Sequence, residues 1–100
     1  MTQEDFKNIA VSETEKYMGV GNILDLKNRA PDYYTSRKIY YGVLHIFKKL
    51  NGYPYSNFTK REYNGILYSS RCMTSDKELR HKVKEVLDII KNRILNERKS

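Results

Sequence analysis

The 100-residue chain has a single cysteine, Cys72, and no tryptophan. A lone thiol excludes an intramolecular disulfide and a cysteine-based zinc cluster, and it fits a reducing, cytoplasmic setting. Histidine is nearly as scarce: His45 and His81 lie far apart, with no Glu or Asp at a spacing that forms a known metal motif. Since a metal site needs three or four ligands, no metal is expected. No apolar run approaches the ~20 residues that cross a bilayer, so no membrane association is expected. The opening Met1-Thr2-Gln3-Glu4-Asp5 is polar and acidic, unlike a secretory signal. The Gly-x-x-x-x-Gly-Lys-Ser/Thr phosphate loop is missing, so no nucleotide cofactor is expected. No nucleophile has an arguable base nearby and no acid–base pair presents itself, so the chain reads as a non-enzyme without cofactors.

What is abundant is positive charge: 19 Lys and Arg against 12 Asp and Glu, a net charge of +7. Its distribution is one-sided. Residues 1–26 carry −3, residues 27–71 carry +7 and residues 72–100 carry +3. In the central block, cations from Lys27 to Arg71 face only Asp32 and Glu62. An ordinary solvated surface intersperses the two signs, so a concentrated block points to a polyanionic partner.

The apolar spacing is helical throughout, with no alternating strand pattern, repeat or low-complexity tract. Thr2 to Asp5 resembles a capping box, and Phe6, Ile9, Ala10, Tyr17 and Met18 continue a first helix that Gly19 stops. Ile23, Leu24 and Leu26 predict one or two further helical turns, followed by a basic loop from Lys27 to Asp32. A long helix is expected to begin between Asp32 and Ser36. It buries Ile39, Tyr40, Val43, Leu44, Phe47 and Leu50 and ends at Asn51-Gly52. Pro54 suits the first turn of a short helix from Tyr55 to Phe58. Thr59-Lys60-Arg61-Glu62 is a capping box, and the helix it opens puts Tyr63, Ile66, Leu67 and Ser70 on one side and Arg61, Asn64, Gly65, Tyr68 and Arg71 on the other. Ser75 to Glu78 reads as another capping box, before a last helix with Leu79, Val83, Val86, Leu87, Ile90 and Ile94 inward. The tail from Asn96 to Ser100 is expected to be disordered. The predicted fold is one all-α domain over residues 1–100, a compact bundle of five to six helices.

Two short helices, Pro54–Phe58 and Lys60–Cys72, form a helix-turn-helix candidate over about residues 53–72, with the second helix suited to the major groove. Lys60 and Arg61 occupy a first helical turn, where cations cost about 0.3–1 kcal/mol each against the macrodipole. Phosphates or guanine acceptors arriving beside them would offset that cost. Asn64 can pair with adenine, and Arg61 or Arg71 can fork onto guanine or phosphate. Gly65 costs nearly ~1 kcal/mol of helix propensity relative to Ala, which either a close DNA strand or a helix packing contact would explain. Tyr68 can stack or donate to a phosphate.

At these residues the chain resembles a known family. Residues 6–95 look like the C-terminal, DNA-binding domain of the bacterial replication initiator DnaA, a Trp-repressor-like helical fold. Ile9 to Val20, with Tyr17, resembles that domain's opening helix, and Ser36-Arg37-Lys38 resembles its basic loop. The run Lys60-Arg61-Glu62-Tyr63-Asn64-Gly65-Ile66-Leu67-Tyr68-Ser69-Ser70 lines up with its signature Gly-Arg-Asp-His-Ser/Thr-Thr-Val-Leu-His-Ala. The resemblance implies duplex DNA as partner, in replication or transcription regulation, with Arg37 and Lys38 at the minor groove. It implies Lys60, Arg61, Glu62, Tyr63, Asn64, Gly65, Tyr68 and Arg71 along the recognition helix. Both signature histidines are tyrosines here and the two hydroxyl positions are Asn64 and Gly65. These positions read sequence, so the family's usual origin box is not implied as the target. With no ATP-binding motif beside it, the resemblance implies a free-standing bacterial or phage-encoded module.

Two other readings stay open from the residues alone. One is a protein–protein adaptor whose basic helical surface takes an acidic partner. The other is an RNA or single-strand binder that stacks bases on Tyr33-Tyr34 and Tyr40-Tyr41, beside Arg37 and Lys38.

Overall fold

Local sequence signals set most of the element boundaries. The computed structural model describes residues 2–52 and 58–99. Among the described residues the chain forms four helices and no strand: α1 (Gln3–Met18), α2 (Pro31–Asn51), α3 (Lys60–Ser75) and α4 (Lys77–Lys99). The Thr2 hydroxyl accepts from the Asp5 N–H while the Asp5 carboxylate accepts from the Thr2 N–H, closing a capping box at the start of α1. Gly19 and Gly52 end α1 and α2 in the left-handed conformation, at φ 69° and 68°. A side chain at either position would clash with the backbone that this conformation requires.

Among the described residues the bundle has fewer helices than the sequence predicts. The Ile23–Leu26 segment is not helical but makes two tight turns, Asp25 N–H to Asn22 O and Asn28 N–H to Asp25 O, each 3.1 Å. Side chains compete for the backbone there: the Asp25 carboxylate accepts from the Lys27 N–H, and the Asn28 amide donates to the Asn22 carbonyl. The expected short helix from Tyr55 lies outside the described residues up to 57, and Phe58 sits in a bend. With it goes the first member of the helix-turn-helix candidate.

Other boundaries shift by a turn or less. α2 begins at Pro31 rather than between Asp32 and Ser36, with Ala30 at the N-cap and no side-chain cap. Proline at the first position has its φ pre-set and no N–H to satisfy, so no capping side chain is needed. Ser36 is buried and donates to the Asp32 carbonyl. The N-cap of α4 is Asp76, not Ser75: its carboxylate accepts from the Leu79 N–H at 3.1 Å. Asp76 also ends α3, donating its backbone N–H to the Cys72 carbonyl, so one non-helical residue joins two helices. Arg80 reaches back to the Met73 and Thr74 carbonyls at 2.9 and 3.1 Å, satisfying acceptors that the helix end leaves open. α4 then runs to Lys99, through the stretch from Asn96 where disorder is expected.

α2 is the central element and packs against the other three helices. Ile39, Tyr40, Val43 and Leu44 of its predicted stripe are buried, with Tyr41 beside them, whereas Leu50 at the far end is exposed. They meet Phe6 and Ala10 of α1, Ile66 and Met73 of α3, and Leu79, Val83, Val86, Leu87 and Ile90 of α4. Gly42 lets α4 close in: a Cβ there would lie 2.8 Å from the Val83 methyl. Polar ties fix α1 on its neighbours. Arg93 donates to the buried Glu13 carboxylate at 2.9 Å, the Tyr17 hydroxyl donates to Glu85, and Lys7 pairs with Glu62 of α3 at 2.9 Å.

The Phe6 ring stacks on Phe47 with centroids 3.5 Å apart and is 2% exposed, which anchors α1 to α2. Phe6→Ala is expected to cost about 3–5 kcal/mol, from lost transfer energy and the cavity left behind. Denaturant unfolding monitored by circular dichroism checks this.

Candidate nucleic-acid interface

The two cation groups expected to grip DNA have different fates. Arg37 does not reach out to a groove. It lies in the second turn of α2, not in a loop before it, and is only 9% exposed. Its guanidinium donates to three carbonyls of the α1–α2 connection: Ile23 at 3.0 Å, Asp25 at 3.1 Å and Asn28 at 2.7 Å. The guanidinium plane also rests 5.1 Å from the centroid of the Tyr34 ring. A buried charge is tolerable only when so satisfied, and both terminal nitrogens of this guanidinium donate within the chain. The minor-groove assignment for Arg37 is therefore corrected: it is a clamp on the connecting loop. Lys38, its neighbour, is half-buried, with its ammonium 5.8 Å from the centre of the Tyr68 ring.

The outward face of α3 is largely as the sequence predicts. Lys60, Arg61, Asn64, Tyr68 and Arg71 are exposed, and Tyr63 joins them rather than the core. Ile66, Ser69 and Met73 turn inward. Arg61 donates to the Leu24 carbonyl at 2.6 Å, so the tip of α3 and the α1–α2 loop are tied together. Arg37 and Arg61 thus hold the same loop from two helices, and that loop presents Lys27 and Arg29 to solvent. Neither was assigned a DNA contact from the sequence, where both appear only as members of the basic loop from Lys27 to Asp32 and of the central basic block.

Glu62 does not belong to the outward face. It completes the Thr59 capping box, accepting from the Thr59 N–H at 2.9 Å, and pairs with Lys7 of α1. Burial alone would raise its pKa, but the Thr59 N–H and the Lys7 ammonium outweigh it and hold the carboxyl below its ordinary range. Glu62 is the sole acid in the sequence of α3, and Lys7 draws it aside. What α3 offers solvent is neutral or positive.

Gly65 is explained by packing. A Cβ there would lie 2.7–2.8 Å from three atoms of the Tyr41 ring, so the glycine lets α2 and α3 approach. Tyr40 and Tyr41 are 3% and 8% exposed, so neither offers an open ring face on the outer surface for a strand to stack on. Burial raises the pKa of Tyr41 although Arg61 beside it pulls the other way. Tyr34, by contrast, is 50% exposed.

His45 is half-buried with an unpartnered Nδ1, and its pKa is lowered by burial and by Lys49 and Lys48. His81 pairs with Glu85 across one turn of α4 at 2.7 Å. Among the described residues no three His, Cys, Asp or Glu side chains cluster as a metal site, and no helix is long and apolar enough to cross a membrane.

Two substitutions test these assignments. Arg37→Met keeps the stem but removes the guanidinium donors from the Ile23 and Asn28 carbonyls and leaves Asp25 only its turn bond from the Asn28 N–H, and is expected to lower unfolding free energy by about 2–3 kcal/mol. A purely groove-facing arginine would leave stability unchanged within ~0.5 kcal/mol. In an open helix Gly65→Ala would gain about 1 kcal/mol. Here overpacking against Tyr41, about 1–3 kcal/mol, reverses the sign and lowers the melting temperature. Thermal and denaturant unfolding of the two variants reads both outcomes.

Compared with protein-family models, curated proteins and solved structures, the chain gives no match.

Proposed function

We propose that this chain is a duplex DNA-binding domain that uses α3 as a recognition helix in the major groove. The observation that carries the reading is the composition of the exposed α3 face. Arg61, Asn64, Tyr68 and Arg71 project to solvent, while the helix's one acid is turned against Lys7. A helix bearing arginine and asparagine on one open face suits base edges and phosphate oxygens. Lys60 and Arg61 sit at the positive end of the α3 macrodipole, an arrangement that disfavours cations unless anions approach.

In this reading the second contact differs from the one expected from the sequence. The loop between α1 and α2, held by Arg37 and Arg61, supplies Lys27 and Arg29 to the phosphates or minor groove beside the α3 tip. Arg37 acts one step back, by shaping that loop. The resemblance of the α3 sequence to the DnaA signature supports the use of α3 as the recognition helix. The tyrosines and Asn64 in place of the signature residues give a different preferred sequence. A role in replication or transcription follows from the same resemblance, and the protein acts without catalysis or cofactor.

Fluorescence anisotropy with a labelled duplex across a salt series tests the proposal. Log K is expected to fall linearly with log salt, by about 0.9 for each phosphate neutralised. Arg71→Ala, a surface change, is expected to leave stability intact, weaken binding by about 1–3 kcal/mol and reduce the slope by about one if the contact is to phosphate. A wild-type protein without duplex affinity at low salt would rule the proposal out.

A further inference from the structure

Between α2 and α3 lies a cleft of about 420 Å³, lined by Tyr34, Arg37, Lys38, Tyr41, Gly65, Tyr68 and Ser69. Its volume falls within the ~300–1,000 Å³ typical of small-ligand sites. Gly65 has no side chain, which lets the Tyr41 ring lie against α3, and both residues line the cleft. Two further tyrosines, Tyr34 and Tyr68, line it, 50% and 56% exposed. A cation approaches each ring: the Arg37 guanidinium is 5.1 Å from the Tyr34 centroid, and the Lys38 ammonium is 5.8 Å from that of Tyr68. Because three loop carbonyls fix the Arg37 guanidinium, the group against Tyr34 is held in place.

One polar atom in this lining is anomalous. Ser69 lines the cleft at 1% exposure, and its buried hydroxyl has no hydrogen-bond partner. A buried hydroxyl left unpaired is costly, and in native proteins such a group calls for an explanation. A ligand presenting a polar edge to the cleft would supply the missing partner. Two cations in the lining exclude a cationic guest, although aromatic walls alone would suit one. Aromatic walls, a hydroxyl and an ammonium together match a planar heterocycle that carries an anion.

We propose that this cleft receives one unstacked nucleobase with its phosphate. The base lies against the Tyr34 and Tyr68 rings, its polar edge meets the Ser69 hydroxyl, and its phosphate meets Lys38. The proposal deepens the DNA-binding reading and rests on it for the source of the base, because Tyr68 belongs both to the cleft and to the exposed face of α3. A nucleotide turned out of a strand held along α3 and a free mononucleotide share this chemistry. The measurement separates them.

Three duplexes are compared by anisotropy: one fully paired, one with a single unpaired 2-aminopurine, and one with an unpaired abasic site at the same position. 2-Aminopurine fluorescence, which stacking quenches, reports the base itself, and 2-aminopurine ribonucleoside monophosphate serves as the free nucleotide. The wild-type protein is expected to bind the 2-aminopurine duplex about tenfold more tightly than the abasic one, with quenching, since base–aromatic stacking commonly contributes that much. Tyr34→Ala and Ser69→Ala are expected to remove most of this preference while leaving paired-duplex affinity within about twofold. Tyr34 is at the surface and Ser69 makes no internal bond, so both variants are expected to fold as the wild type does. Arg71→Ala is expected to weaken all three duplexes alike and keep the preference.

Equal affinity for the 2-aminopurine and abasic duplexes, without quenching, would overturn the pocket even if paired-duplex binding stands. Quenching of the free nucleotide that Ser69→Ala abolishes, without affinity for any duplex, would keep the pocket and overturn the DNA-binding reading. Absence of both signals would overturn the two together.

Discussion

The arrangement of this molecule's basic surface depends on one buried cation. Arg37 spends its guanidinium on three carbonyls of a connection that has no helix or sheet of its own to satisfy them. Backbone acceptors in such a segment need partners wherever water is excluded. One planar donor with several N–H groups meets that need more economically than several single donors would. The loop is thereby given a fixed shape, Ile23 is pinned in the core, and Arg61 meets a carbonyl in a defined position. The neighbouring tyrosine ring also acquires its support from this clamp. A residue that reads as a DNA contact in the sequence thus serves by building the surface on which other contacts can stand.

Elements whose signals are local could be read from the sequence, and those that depend on a distant partner could not. The capping boxes at Thr2 and Thr59 and the stops at Gly19 and Gly52 are short-range hydrogen-bond and backbone devices, and each appears where its spacing places it. The α2 and α4 stripes also emerge, because the helical period and burial agree. The start of α2 was misread because Asp32 and Ser36 look like caps, while Pro31 needs none. The fate of Arg37 was hidden because its acceptors are carbonyls, and every residue type has one. Gly65 was ambiguous for a related reason. A missing side chain shows that something comes close, and only the position of Tyr41 shows what does.

For the candidate site, residue types could be read more readily than their grouping. The exposed row Arg61, Asn64, Tyr68 and Arg71 follows from the helical period and needs no tertiary information. The assignment of Glu62 to the same surface failed because Lys7 lies on another helix. Tyr34 and Tyr40-Tyr41 look equivalent as a tyrosine-rich stretch beside two cations. Their different exposures arise from which side of α2 meets α3 and α4, a choice made by the whole bundle. Ser69 carries no signal at all until its surroundings are known.

The single-residue junction at Asp76 bears on how α3 can respond to a guest. Asp76 closes one helix with its backbone and opens the next with its carboxylate, and Arg80 locks the same corner from the far side. A corner so closely braced has no slack in which α3 could slide or rotate on its own. Any tilt of that helix must carry α4 with it and disturb the Val83–Ile90 packing beneath α2. In the proposed complex its outward side chains would therefore meet a guest as a pre-set array, and association would lose little entropy to ordering of the backbone that carries them.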